Sequence, residues 1–333
     1  MEHTFVRRIL FRADAAPHIG IGDLMSLIHL SKYFDETWET FFVIKDYRAG
    51  LDLISKYKID DSIVIKQDID IEDEIILLNK FIKEKSIDVI FFEITERKLT
   101  DYQGIDNKVK KMCVSFDGHI LDNMDLVVDW DVEAYKYFLP SKHPYTRFLL
   151  GHEYVILPQE FYSKNILYRE YSKFTKKVLI AMGGADELDF TYKVTKVLIE
   201  ARLDIEIVAI IGSGYENIGN LEKLVNKFSS KCKIKFNVTN IIDEYLDCDV
   251  AIGAGGLTSS ELVASKTPSV LIATYEHQIA RCKFFHEHGW VKYLGFRNFD
   301  VAELVKFVKK PLYPNSEVVF NTKNIVYSIE ELV

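Results

Sequence analysis

Cysteine, proline and glycine are all sparse in this 333-residue chain, which holds four, seven and 16 of them. Cys113, Cys232, Cys248 and Cys282 are scattered, with no C-x-x-C pair. That spacing gives a zinc site no support and argues for reduced core thiols in a cytoplasmic protein. Long apolar runs are missing too. Val89-Ile90-Phe91-Phe92 is typical of the longest, whereas a membrane span needs about 20 such residues. Residues 1–12 contain no apolar stretch of the kind a secretory signal needs. Positive charge is short as well: Lys and Arg number 42 against 50 Asp and Glu, a net charge of −8. Nucleic acid selects for concentrated cations and is not expected as a partner. An anionic small molecule stays open, because backbone N–H groups hold phosphate without any net positive charge. His119, His143, His152, His286 and His288 show no metal-ligand spacing, so neither a metal nor another cofactor is expected.

What the chain does have is apolar mass, 48% hydrophobic residues, enough for two cores in a chain whose length predicts about two domains. Short β-branched or aromatic runs at 8–12, 41–45, 62–65, 89–93, 111–116 and 126–128 alternate with amphipathic stretches at 24–34 and 72–85. The second half repeats the logic. Strand patterns fall at 178–182, 205–211, 233–236, 250–254, 269–272 and 291–294. Helical ones fall at 188–201, 217–228, 241–247, 258–264, 278–288 and 301–308. Apolar strands alternating with helices predict a parallel sheet covered on both faces. The expected class is α/β, with two doubly wound, Rossmann-like domains facing a central cleft. Residues 1–160 form the first and 161–333 the second, and a polar, Tyr- and Lys-rich connector runs through 157–177. The final helical pattern, near 315–333, is compatible with either domain. Nothing in the sequence sets an oligomeric state.

In open α/β sheets, ligands bind beyond the carboxyl ends of strands, where loops lead into helix N-termini. Four such loops concentrate the glycines. The first runs from Arg12 through Asp14, His18, Gly20 and Gly22 to Asp23, which can cap the next helix. Its G-x-G lacks the third glycine of a dinucleotide fingerprint. The second holds Gly183 and Gly184, and the third Gly212 and Gly214. The fourth runs Gly253-Ala254-Gly255-Gly256-Leu257-Thr258-Ser259-Ser260-Glu261 into a helix whose first turn offers free N–H groups and hydroxyls. That is a cradle for a diphosphate. Glu261 follows Thr258 by three residues. It either accepts two ribose hydroxyls or closes a capping box with Thr258.

Three segments together resemble the UDP-sugar hydrolase family of pseudaminic acid biosynthesis, whose relatives include spore-coat polysaccharide proteins. They are Ile9-Leu10-Phe11-Arg12-Ala13-Asp14 through Gly20-Ile21-Gly22, Ala181-Met182-Gly183-Gly184-Ala185-Asp186, and Gly255-Gly256-Leu257-Thr258-Ser259-Ser260-Glu261. Ser115-Phe116-Asp117 also fits that family's end-of-strand acid. The resemblance spans roughly residues 8–295. It implies a GT-B fold, shared with the transferase that adds N-acetylglucosamine in peptidoglycan synthesis. It further implies a UDP site on the second domain: Gly183 and Gly184 bind the nucleotide, the 255–260 loop with Gly255, Gly256, Leu257, Thr258 and Ser259 lies on the diphosphate, and Glu261 on the ribose. Gln278 matches the Gln of the family's Asn-Gln pair; His277 replaces the Asn.

The first domain departs from the family. Where the family's loop reads Gly-His, with the His taken as catalytic base, this chain has Gly22-Asp23. Where it has an Asp-His-Tyr-like stretch, this chain has Glu93-Ile94-Thr95-Glu96. Inverting chemistry at an anomeric carbon needs a base and dipoles that stabilise departing UDP. Asp23 serves if burial raises its pKa. His18 and Asp14 are further catalytic candidates, and Gly20, Gly22, Glu93, Asp117 and Gln278 are candidates for holding the substrate. The function expected is a nucleotide-sugar hydrolase that releases UDP from a modified amino-sugar. An inverting glycosyltransferase and a catalytically silent nucleotide-sugar-binding protein are the alternatives.

Overall fold

A computed structural model describes residues 6–16, 18–116, 118–138, 142–163, 166, 169–212, 214–228, 230–236, 238, 240–314 and 319–333. The chain divides into two units, residues 1–159 with 320–333, and residues 160–319. The first is a parallel sheet of seven strands: β1 (Arg7–Ala13), β2 (Trp38–Lys45), β3 (Ser62–Ile65), β4 (Val89–Glu93), β5 (Lys110–Val114), β6 (Leu126–Asp129) and β7 (Arg147–Leu150). Their spatial order is β3-β2-β1-β4-β5-β6-β7, so the direction of travel reverses beside β1. Alternation along β1 shows why the sheet is covered on both sides. Ile9, Phe11 and Ala13 join one core, while Leu10 joins the other. Helices α1 (Gly22–Ser31), α2 (Arg48–Lys56) and α3 (Ile71–Lys85) make the crossovers.

The second unit repeats the plan with six parallel strands: β8 (Lys177–Ala181), β9 (Glu206–Ile211), β10 (Cys232–Phe236), β11 (Val250–Ala254), β12 (Ser269–Ala273) and β13 (Lys292–Phe296). Their order is β10-β9-β8-β11-β12-β13. The helices are α4 (Phe190–Glu200), α5 (Ile218–Lys227), α6 (Ile241–Leu246), α7 (Leu257–Ala264), α8 (Gln278–Glu287) and α9 (Val301–Lys309). The α/β class and doubly wound plan are as expected. All four cysteines are buried and free. No helix among the described residues is long and apolar enough to cross a membrane.

Three features differ from the sequence reading. Helix α2 is two turns long with Gly50 inside it, and only Gly50, Leu53 and Ile54 are buried, too short a stripe to show as periodicity. Strand β7 is an edge strand paired to β6 alone, and its apolar residues merge with the Tyr-rich stretch before it. The last helix, α10 (Thr322–Leu332), belongs to the first unit, so the second does not extend to residue 333. The Thr322 hydroxyl donates to Val155 O at 2.9 Å and accepts from Leu157 N at 3.1 Å. Ile325, Val326 and Ile329 complete the first core. Ile325→Ala should therefore cost about 2–5 kcal/mol, read by urea unfolding, with hydrogen-exchange protection lost in the first unit and kept in 160–319. Unchanged stability would refute this packing.

Candidate functional site

The carboxyl end of β1 opens on a buried ion cluster. Arg12, at 0% exposure, pairs with Asp14 at 2.7 Å and with Glu74 of α3 at 2.7 Å. Arg97 and the Tyr102 hydroxyl complete the shell of Glu74. Asp14 Oδ1 also accepts from Lys45 N at 2.7 Å, which ties the loop after β1 to the end of β2. Asp14 is thus a fixed internal anchor. Ala16 and Gly20 close the loop with reciprocal backbone hydrogen bonds of 3.1 and 2.8 Å, Gly20 at φ +81°.

Asp23 does not cap α1. The N-cap position belongs to Ile21, no side chain caps the helix, and Asp23 is its second residue. Its Oδ2 instead accepts from Thr95 Oγ1 at 2.6 Å, across from the end of β4. Burial pushes the Asp23 carboxyl up to about 6; the Thr95 hydrogen bond opposes the rise and the charge of Asp14 adds to it. Glu93, at 6% exposure, ends β4 beside it. Burial raises its pKa well above the ordinary range, the charge of Asp23 raises it further, and the Ser26 hydroxyl partly compensates. Glu93 Oε2 is buried with no hydrogen-bond partner among the described residues. Two carboxyls whose environments separate their titrations are a basis for acid–base work near neutral pH.

His18 meets a different acid. Its Nε2 lies 2.6 Å from Glu96 Oε1, and its ring stands edge-on to Tyr47. Lys45 Nζ and the Tyr47 hydroxyl donate to the same carboxylate, each at 2.8 Å. Burial alone would raise Glu96, but these three partners bring it down to about 2. Glu96 is therefore a permanent anion with three partners, and it latches the β1–α1 loop to the ends of β2 and β4. Lys45, Tyr47, Thr95 and Ser26 were not legible as site residues; nothing in their spacing links them before the strands are aligned. Asp117 lies outside the described residues.

In the second unit, four loops meet at the carboxyl ends of β8, β9, β11 and β12. Gly183 has φ +92°, which a side chain would strain. A Cβ on Gly212 would sit 2.5 Å from Gly184 O, so the two glycine loops touch through backbone. Asp186 caps α4 by accepting from Phe190 N at 2.9 Å and Thr191 N at 2.7 Å. After β11, a Cβ on Gly255 would meet Cys282 Sγ at 2.6 Å and Gln278 Cβ at 2.8 Å. Gln278 is locked from behind: its Oε1 accepts from Thr274 N at 2.9 Å and Thr274 Oγ1 at 3.0 Å. Its amide nitrogen thereby faces the loop, 3.6 Å from where a Cβ of Gly256 would stand.

Helix α7 starts at Leu257, with Gly256 at the N-cap and no capping side chain. This corrects the capping-box alternative, since Thr258 lies inside the helix. The Ser259 hydroxyl turns back to Gly256 O at 2.6 Å and is spent on the loop itself. Glu261 Oε2 accepts from the Tyr245 hydroxyl at 2.8 Å. Burial pushes the Glu261 carboxyl up to about 7, with Tyr245 opposing the rise. The head of α7 therefore offers backbone N–H groups and the positive end of a helix dipole, with an acceptor carboxyl one turn further on.

No protein-family model matches the chain. An uncharacterized protein of Methanocaldococcus jannaschii is 30% identical over 162 residues, 47% of this chain, which spans only 33% of that protein's length. The spore coat polysaccharide biosynthesis protein SpsG of Bacillus subtilis is 23% identical over 292 residues, 85% of this chain and 82% of its own. The UDP-N-acetylglucosamine–N-acetylmuramyl-(pentapeptide) pyrophosphoryl-undecaprenol N-acetylglucosamine transferase of Natranaerobius thermophilus is 28% identical over 166 residues, 46% of this chain and 45% of its own. Among solved structures, MurG of Acinetobacter baumannii superposes with a TM-score of 0.65 at 12% identity, covering 98% of this chain and 99% of that one. The UDP-GlcNAc 2-epimerase of Methanocaldococcus jannaschii gives 0.59 at 12% identity, covering 97% and 99%. The chain has the GT-B fold.

The Glu93 environment has a consequence for stability. An acid whose folded pKa is raised keeps its proton when the unfolded chain has lost it, so stability falls as pH rises through that window. The loss begins near the unfolded value of about 4.3. Glu93→Gln removes it, so the variant's melting temperature relative to the native chain should climb from pH 4 to pH 8. A difference that stays constant with pH would show that Glu93 titrates normally.

Proposed function

We propose that the chain is an inverting GT-B enzyme that transfers a sugar from a UDP-sugar donor to an acceptor hydroxyl in surface-polysaccharide synthesis. The carrying observation is the pairing of Asp23, near neutrality and held by Thr95, with the more strongly raised Glu93. Such a base ionises at working pH yet retains enough basicity to take a hydroxyl proton. The transferase and epimerase relatives support sugar-nucleotide chemistry, and SpsG supports the polysaccharide setting.

In this reading the second unit takes the nucleotide. The diphosphate lies at the head of α7 between the glycine loops, and Glu261 accepts the ribose hydroxyls. Asp23 accepts the proton as the acceptor oxygen bonds to the anomeric carbon. The bond from that carbon to the diphosphate oxygen breaks, and the electron pair leaves with UDP. The N–H groups of Leu257 and Thr258 and the Gln278 amide stabilise the charge that develops there. Asp14 and Glu96 stay outside this step, being occupied by Arg12 and by Lys45 with Tyr47. Hydrolysis is the second reading, favoured by the order of the glycine motifs, with water replacing the acceptor at the same base.

A panel of UDP-sugars, with and without glycan acceptors, separates the readings. UDP release only with acceptor supports transfer, release without it supports hydrolysis, and failure to bind or cleave any donor defeats both. Asp23→Asn should abolish turnover while leaving UDP affinity within a few-fold, and native turnover should fall as pH drops through about 6. Wild-type activity in that variant would remove Asp23 from the chemistry. Glu261→Ala should weaken UDP binding by about 1.5–3 kcal/mol, measured by calorimetry.

A further inference from the structure

Tyr245 carries no role in the mechanism above. It lies on α6 at 1% exposure, inside a helix whose pattern reads only as apolar packing. Its hydroxyl donates to Glu261 Oε2 at 2.8 Å and receives a hydrogen bond from the Thr258 side chain. The phenol thus joins two positions on α7 that face the proposed nucleotide, and it fixes one of the two oxygens of Glu261. A carboxylate on a three-torsion side chain gains from such a tether, because the freedom it would lose on binding is already gone.

We propose that Tyr245 is a positioning residue for nucleotide binding: it holds one oxygen of Glu261 so that the ionised carboxylate accepts both ribose hydroxyls. The inference rests on the reading that the head of α7 holds a nucleoside diphosphate. The two ribose hydroxyls are both donors in this contact, so the carboxyl must be acceptor-only, and a protonated Glu261 cannot serve. Burial favours the protonated form, and Tyr245 is the group that favours the charged one. Around the pair, Cys248 follows α6 with its thiol pushed up to about 12 by burial, so it is neutral at working pH. Arg169 donates to Cys248 O at 2.6 Å and keeps its charge. No ion pair to Glu261 occurs among the described residues.

Calorimetric titration of the intact chain with UDP from pH 5.5 to 8.5 tests this. For the native chain, affinity should fall as pH drops through about 7. Glu261→Gln should bind weakly and keep only the dependence that comes from the terminal phosphate of UDP, which titrates near pH 6. Tyr245→Phe preserves the ring in the core. It should move the native midpoint to higher pH, with affinity about 3–10-fold weaker at pH 7 and only the smaller loss of the tether itself left at pH 8.5. A uniform loss across pH would mean that Tyr245 only packs, and a native titration would mean that it does nothing to Glu261; either overturns the proposal. Native affinity in Glu261→Gln, or no UDP binding by the unaltered chain, overturns the nucleotide reading itself and is recognisable before Tyr245 is considered.

Discussion

The buried guanidinium of Arg12 is the constraint on which the first unit's loops depend. Burial alone lowers its pKa, but Asp14 and Glu74 outweigh that and hold it above its ordinary value. It is always charged, so two acids must remain within reach, and the helix and loop that carry them are fixed with it. Glu74 brings the first turn of α3 to the sheet. Asp14 brings the start of the β1–α1 loop and, through Lys45 N, the end of β2. Removing one member of such a cluster strands an opposite charge in the core, at a cost of about 3–5 kcal/mol. A well-packed apolar set need not cost anything, so the cluster is better understood as specifying geometry than as supplying stability.

Geometry is what the next layer uses. With Asp14 anchored and the loop latched to Glu96, Asp23 arrives beside Thr95 and Glu93 rather than in solvent. Its raised pKa follows from that placement, because a solvated aspartate on a first helical turn would be pulled the other way by the helix dipole. The acids near this loop therefore divide by role. Asp14 and Glu96 are held by cations, while Asp23 and Glu93 have hydroxyl partners and, for Asp23, backbone N–H groups, with no cation paired to either among the described residues.

Much of the fold was legible because its strands are short apolar runs and its helices carry stripes, both of which report burial directly. The failures are short or shared signals: α2 with its internal glycine, β7 hidden beside tyrosines, and α10, whose stripe cannot say which sheet it covers. The glycine loops were legible because turn chemistry is local. The partners of the acids were not. Glu96 with Lys45, Glu93 with Ser26, and Glu261 with Tyr245 join positions on different elements, and only strand order brings them together. The capping readings of Asp23 and Glu261 failed for one reason: both helices begin earlier than the residue that looked like a cap, at Gly22 and Leu257.

Those two acids also show how burial sets local charge in an acidic chain. Each sits within the first turns of a helix, where the dipole favours the ionised form by about 0.3–1 kcal/mol, less than one pKa unit. Burial of a carboxyl opposes this with shifts of up to several units, and burial wins at both: Asp23 reaches about 6 and Glu261 about 7. Near neutral pH Asp23 is therefore mostly ionised, whereas Glu261 is divided between its two forms. At the head of α7 the Tyr245 hydroxyl works against that burial and favours the ionised form of Glu261. The net charge of −8 therefore says little about the charge at the head of α7, which is set by burial and a phenol rather than by composition.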